Sequence, residues 1–117
     1  MALILVIDDN GDFLEVMREA LKLQGFQVLT AENGTEGIAM ALEYHPAVIL
    51  CDLMMPDKTG WDVYEALQQH GDTTEIPFVY MTANSRFRGT AGELWLSKPF
   101  SIGDVTTMVK RMLDVEP

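Results

Sequence analysis

Three acids, one hydroxyl and one amine stand close behind short apolar runs of the chain, at Asp8, Asp9, Asp52, Thr82 and Lys98. Carboxylates about 4 Å apart repel each other by roughly 4 kcal/mol per pair at an effective dielectric near 20. A divalent cation offsets that repulsion, and ligands that are all oxygens favour a hard ion such as Mg²⁺. The Thr82 hydroxyl can donate a hydrogen bond to a phosphoryl oxygen, and the Lys98 ammonium can pair with an anionic oxygen. Brought together, these side chains would form a site for a metal ion and a phosphoryl group.

Four of these five residues also have a purely structural interpretation. Asp8 and Asp9, taken as an isolated pair, fit a helix N-cap next to a turn better than a metal site. Thr82 alone fits a strand-end cap, and Lys98 fits an ion pair with one of the acids. The third acid, Asp52, follows a second apolar run, and its presence there favours the metal site.

Five short apolar runs predict the strands of a parallel sheet, at residues 3–7, 27–31, 47–51, 78–81 and 94–96. Helix-like stretches separate these runs, which is typical of βαβ units with right-handed crossovers and helices on both faces of the sheet. Ligands of such sheets bind beyond the carboxyl ends of the strands, so we expect the polar residues in one crevice. No repeat or linker interrupts the pattern, and we predict a single α/β domain over residues 1–117.

The predicted helices carry recognisable end signals. The first is expected to end near Gly25, Asn33 is a suitable N-cap for the second, and the third is expected to begin near Trp61. Ser101 and Asp104 resemble a capping box at the start of the last helix. That helix has apolar residues at i, i+3, i+4 and i+7: Val105, Met108, Val109 and Met112.

Residues 83–92 break the alternation of strands and helices. They contain two glycines and about one apolar anchor, Phe87, which makes them a poor amphipathic helix. We predict a single helical turn or an irregular crossover there.

Composition limits the function classes. The chain has 117 residues, 48% of them hydrophobic, which fits a folded domain with a real core. Eight basic residues against eighteen acidic ones give a net charge of -10, which argues against direct binding to nucleic acid or to an anionic membrane surface. The one cysteine, Cys51, is expected in the core of a strand rather than in redox chemistry. We expect a cytoplasmic protein, since the first apolar run is too short for a signal peptide or a membrane span.

The ordered set of motifs resembles the receiver domain of bacterial two-component response regulators across essentially the whole chain. The resemblance rests on Asp8-Asp9, on Asp52 followed by Met55-Pro56 and Gly60, on Thr82-Ala83, and on Lys98-Pro99-Phe100. Any one of these motifs is weak, whereas their order and spacing together are specific. The resemblance implies a flavodoxin-like, doubly wound, five-stranded parallel sheet with strand order 2-1-3-4-5.

The resemblance also implies a phosphorylation chemistry. Asp52 matches the aspartate that accepts a phosphoryl group from a histidine kinase or a histidine phosphotransfer protein. Asp9 would bind Mg²⁺ directly and Asp8 mainly through water, with Asp52 and the backbone carbonyl of Met54 as further ligands. Thr82 and Lys98 would contact the phosphoryl oxygens. A protein of this kind catalyses its own phosphorylation, yet it is a signalling switch rather than an enzyme.

In the family, phosphorylation draws Thr82 towards the site and alters a surface that an unknown downstream protein or effector domain would sense. Trp95 matches the family's aromatic switch position, and Pro99 is a candidate for a cis peptide bond. The crossover between Thr82 and Lys98 is shorter than is usual in the family by about half a dozen residues, between one and two helical turns. The fourth helix is therefore expected to be truncated or irregular.

Two other functions stay open on the sequence. A degenerate receiver would use the same fold for constitutive protein binding without phosphorylation. The altered crossover mildly favours it, whereas the complete set of acids, threonine and lysine argues against it. A phosphohydrolase with an aspartyl-phosphate intermediate would need a second acid for proton transfer. Met54 stands two residues after Asp52, where a haloacid-dehalogenase-like enzyme would carry that acid, so this alternative is disfavoured.

Overall fold

The computed structural model describes residues 2–82, the backbone of residues 94–97 and residues 102–114, the side chains of 102 and 114 excepted. Strands and helices alternate along the chain. Their bounds are β1 Leu3–Ile7, α1 Gly11–Leu23, β2 Gln27–Ala31, α2 Gly34–Tyr44, β3 Val48–Asp52, α3 Gly60–Gln68, β4 Phe78–Thr82, β5 Leu94–Ser97 and α4 Ile102–Asp114. The five predicted strands are confirmed to within one or two residues at their ends.

The strands form one parallel sheet in the order β2-β1-β3-β4-β5, as predicted. Ile7 is in register with Cys51, and Asp52 is in register with Met81. Every residue of β3 and β4 is buried, because helices cover both faces of the sheet. The carboxyl ends of β1, β3 and β4 therefore lie side by side at one edge.

Alternate residues of the strands pack into two cores, one on each face of the sheet. On one face, Val6 and Leu50 pack with apolar residues of α1 and α4. On the other face, Ile7 and Cys51 pack with residues of α2 and α3. Burial, with a smaller effect from nearby acids, raises the pKa of the Cys51 thiol well above its ordinary value. The cysteine is a core residue, as the sequence predicts.

Side chains at the first turns of the helices explain where those helices begin. Asn33 caps α2 by accepting a hydrogen bond from the Glu36 amide, which confirms the predicted cap. The cap of α1 is Asn10, so the alternative that Asp8 or Asp9 caps this helix is wrong. Asn10 stands one position later and has the extended backbone that an N-cap requires.

The last helix has the predicted amphipathic face. Val105 and Val109 are buried, and Met108 and Met112 pack against the same core from partly buried positions. Its predicted Ser101 cap and the predicted irregular crossover, residues 83–92, lie outside the described residues. None of the helices in the described part of the chain has the length and hydropathy needed to cross a membrane.

Candidate functional site

The sheet brings the three predicted acids together at its carboxyl edge. Asp52 is the last residue of β3, and Asp8 directly follows β1, which is the neighbouring strand. The Asp8 amide donates to the Ala31 carbonyl at 3.1 Å, so the backbone of Asp8 still follows the sheet. One carboxylate oxygen from each of Asp8, Asp9 and Asp52 lies within 4.8 Å of the other two. The predicted cluster is therefore present.

Burial strengthens the repulsion among the charges of this cluster. Asp8 is 1% exposed and Asp52 is 9% exposed, whereas Asp9 is open to solvent. At the 4.8 Å limit, two carboxylate charges repel by roughly 1 kcal/mol at the dielectric of bulk water and roughly 3.5 kcal/mol at an effective value near 20. The repulsion between Asp8 and Asp52 is nearer the higher value, because both residues are buried.

The same geometry fits Mg²⁺. Oxygens on opposite sides of a Mg²⁺ ion are about 4.2 Å apart, since each bond is about 2.1 Å long. Oxygens within 4.8 Å of one another need only a small adjustment, or one bridging water, to share such an ion. Three carboxylates with no nitrogen or sulfur donor among them also match the ligand preference of this hard cation. The residues present thus suit the ion that the sequence predicted.

Asn10 supports the cluster from the start of α1, a role that the sequence reasoning missed. Its backbone amide donates to Asp8 Oδ1 at 2.9 Å, and its side chain accepts from the Phe13 amide at 3.1 Å. One residue thereby orients the Asp8 carboxylate and starts the helix. The signal in the sequence was a strong N-cap residue directly before a helical stretch.

Thr82 ends β4, the strand next to β3 on the side away from β1. It is 3% exposed. Because Asp52 is in register with Met81, Thr82 stands one position further towards the carboxyl edge. The hydroxyl residue and the acids therefore occupy neighbouring strand ends, as predicted.

The loop after β3 folds back tightly against Asp52. Met54 and Thr59 form an isolated antiparallel bridge, and the Gly60 amide donates to the Leu53 carbonyl at 2.8 Å. A Cβ atom on Gly60 would lie 2.9 Å from the Asp52 carbonyl oxygen, too close for any residue but glycine without a backbone shift. Met54, whose carbonyl is predicted as a metal ligand, lies in this loop and is 57% exposed.

Three predicted site residues cannot be placed in this geometry. Lys98 and Pro99 lie outside the described residues, and only the backbone of Trp95 is described, in the edge strand β5. Their predicted roles, as phosphoryl contact, cis-proline and switch residue, stay predictions.

Comparison with known proteins assigns most of the chain to one family. Residues 4–110 match the family model described as the response regulator receiver domain. The chain is similar to the probable transcriptional regulatory protein TcrX of Mycobacterium tuberculosis, with 32% identity over 116 residues and 94% of the chain covered. It spans only about half of that protein, 49% of its length. It is 26% identical over 116 residues to the polar-differentiation response regulator DivK of Brucella ovis, covering 94% of each.

Solved structures show the same fold. The chemotaxis response regulator CheY4 of Vibrio cholerae matches with a TM-score of 0.88 and 28% identity, over 96% of this chain and 98% of that one. The receiver domain of the sensor histidine kinase PA1611 of Pseudomonas aeruginosa matches with a TM-score of 0.88 and 22% identity, over 97% and 98% of the two chains. At that identity, the second match supports the fold alone.

Proposed function

The chain belongs to the response regulator receiver domain family of two-component systems, and on that premise we propose that it is a switch operated by phosphorylation of Asp52. The observation that carries the proposal is the cluster of Asp8, Asp9 and Asp52 at adjacent strand ends, with Thr82 at the next. We infer that residues 1–117 form one receiver domain. The cytoplasmic location expected from the sequence stays a prediction.

The proposed reaction moves a phosphoryl group onto the Asp52 carboxylate. An oxygen of Asp52 attacks the phosphorus of a phosphohistidine on a histidine kinase or a phosphotransfer protein. The phosphorus–nitrogen bond breaks, its electron pair stays on the imidazole nitrogen, and that nitrogen takes a proton from solvent. Such a transfer depends on in-line positioning and on neutralised oxygens more than on covalent help from the protein. The fixed end of β3 supplies the positioning of Asp52.

We propose that Asp9 binds Mg²⁺ directly, Asp8 binds it mainly through water, and Asp52 and the Met54 carbonyl complete the protein ligands. When bound, the ion supplies positive charge that neutralises the phosphoryl oxygens. The PA1611 receiver domain is described with a magnesium ion coordinated in its active-site cleft. The three carboxylates of the present chain offer oxygen ligands of the kind that Mg²⁺ prefers.

Thr82 and Lys98 are proposed to hold the phosphoryl oxygens and to couple the site to the protein surface. A movement of Thr82, followed by Trp95, would bias a two-state surface read by a downstream protein or effector domain. Moving a population from 1:99 to 99:1 takes about 5.5 kcal/mol of differential stabilisation. Hydrogen bonds to a charged group contribute roughly 1.5 to 3 kcal/mol each, so a few new bonds to the phosphoryl oxygens suffice.

Acetyl phosphate tests the proposal without a cognate kinase. The protein is incubated with acetyl phosphate and Mg²⁺, and the intact mass is measured for the wild type and for Asp52→Asn. We expect a single phosphate adduct on the wild type, none on the variant, and none with a chelator present. An unmodified wild type would support the degenerate, constitutively binding receiver, and sustained release of phosphate from simple phosphate esters would support a phosphohydrolase.

A further inference from the structure

Asp57 joins the loop after β3 to the start of α2. Its carboxylate accepts hydrogen bonds from the Gly34 amide at 3.0 Å, the Thr35 amide at 2.9 Å and the Thr35 hydroxyl at 2.8 Å. The bond from Gly34, with those from Thr35, lowers the pKa of Asp57 to about 2, so the carboxylate stays charged near neutral pH. The two partners are 22 and 23 residues away in sequence, so no local turn accounts for the contact.

The contact completes the start of α2 but is not its only cap. The amides of the first helical residues have no partner within a helix and need an outside acceptor. Asn33 takes the Glu36 amide at 2.8 Å, while Asp57 takes those of Gly34 and Thr35. Thr35 is exposed, so water could replace the carboxylate at its amide, whereas Gly34 is buried and its amide needs a protein acceptor. Asp57 thus caps α2 and, because it belongs to the loop after β3, also ties that loop to the helix.

Helix α2 packs closely against β1, the strand that leads into the acid cluster. A Cβ atom on Gly37 would lie 2.5 Å from Ile7 Cδ1, so a larger residue there would force the Ile7 side chain to move. At its first turn, a Cβ atom on Gly34 would lie 2.8 Å from Lys58 Cβ, which is part of the loop after β3. The helix thus gives that loop a fixed support on the same strand that precedes Asp8.

The sheet ladder fixes Asp8 and Asp52. The loop backbone at Met54 lies beyond the ladder, where its bridge to Thr59 closes the loop and Asp57 ties the loop to α2. We propose that Asp57 is a positioning residue that holds this loop, and with it the Met54 carbonyl, in place for Mg²⁺. The inference rests on the proposed function, since it concerns the same metal site. Asp57 acts through the loop backbone and does not itself bind the ion.

Calorimetric titration with Mg²⁺ alone, together with thermal unfolding in the absence of Mg²⁺, tests this role. In Asp57→Ala we expect Mg²⁺ affinity to fall about 10-fold, the lower end of the effect seen when groups that orient metal ligands are lost. Asp57→Asn keeps one acceptor oxygen and should bind Mg²⁺ with intermediate affinity. The matched control is Glu36→Gln, which removes one exposed negative charge from the same helix end and should bind Mg²⁺ within about two-fold of the wild type.

The outcomes separate the two proposals. If Asp57→Ala unfolds at a lower temperature yet binds Mg²⁺ like the wild type, Asp57 only caps α2 and the positioning role is overturned. Equal losses of Mg²⁺ affinity in Asp57→Ala and Glu36→Gln would also overturn the positioning role, because the loss would then follow from the removed charge alone. A wild type that binds no Mg²⁺ would overturn the proposed function and the positioning role together.

Discussion

Removing one charge from the acid cluster should stabilise the protein when Mg²⁺ is absent. Asp9 is the suitable position, because it is exposed while Asp8 and Asp52 are buried. Asp9→Asn keeps the shape of the side chain and removes its negative charge. Groups gathered for function are often unfavourable for folding, so a loss of function here should accompany a gain in stability.

The size of the gain follows from the distances. The Asp9 oxygen lies within 4.8 Å of an oxygen from each of the two other acids, and water screens both interactions because Asp9 is exposed. With roughly 1 kcal/mol for each pair at the dielectric of water, the free energy of unfolding should rise by about 1–2 kcal/mol. For a chain of 117 residues, that corresponds to a rise in Tm of about 4–8 °C.

Urea denaturation with a chelator, and again with excess Mg²⁺, measures this effect. Without Mg²⁺, Asp9→Asn should unfold at higher urea than the wild type. Excess Mg²⁺ should stabilise the wild type by binding the folded state and stabilise the variant less. Glu19→Gln, an equal charge change at an exposed position of α1, is the control and should leave both curves nearly unchanged. A variant no more stable than the wild type without Mg²⁺ would refute the electrostatic reasoning.

Two further predictions concern the loop after β3. Gly60→Ala should lower the free energy of unfolding by about 1–3 kcal/mol, because its Cβ atom would meet the Asp52 carbonyl oxygen at 2.9 Å. Gly71→Ala, where a Cβ atom meets nothing within 4 Å, should be nearly neutral in the same urea titration, and equal losses would contradict the packing argument. The pKa of Asp57 is lowered from 3.8 to about 2 in the folded state, so its stabilising contribution is present above pH 3.8 and is lost as the pH falls through about 2. As the pH falls from 3.8 to about 2, Asp57→Asn should therefore lose less stability than the wild type, which urea titrations at stepped pH can measure. If the stabilities of the two proteins fall in parallel, the contact contributes nothing.

The fold could be predicted almost entirely from the sequence because its signals are local. The apolar runs at residues 3–7 and 78–81 lie in strands that are buried apart from the partly buried Leu3, and strands of a covered parallel sheet favour that pattern. The prediction that Asp8 and Asp52 meet needed one further rule, that parallel strands end at the same edge. The structure extends β3 by one residue to include Asp52, since the Leu53 amide continues the ladder to Met81 at 2.9 Å.

Residues whose roles depend on distant partners could not be predicted. Asp57 reads as an ordinary polar loop residue, and its bonds to Gly34 and Thr35 exist only once α2 and the loop are packed together. The capping box of α3 is a different case. Thr59 and Asp62 bond each other's backbone amides at 3.1 and 2.9 Å, and their three-residue spacing is a local signal that the sequence reasoning overlooked.

The central claim, that Asp52 is the phosphoryl acceptor of a Mg²⁺-dependent site, is tested most directly by locating the modified residue. The wild type is treated with acetyl phosphate and Mg²⁺, the acyl phosphate is reduced with borohydride, which converts the modified aspartate to homoserine, and the peptides are sequenced by mass spectrometry. We predict homoserine at position 52 alone, and none when Mg²⁺ is chelated. Homoserine at position 8 or 9 instead, or an unmodified chain despite bound Mg²⁺, would contradict the claim.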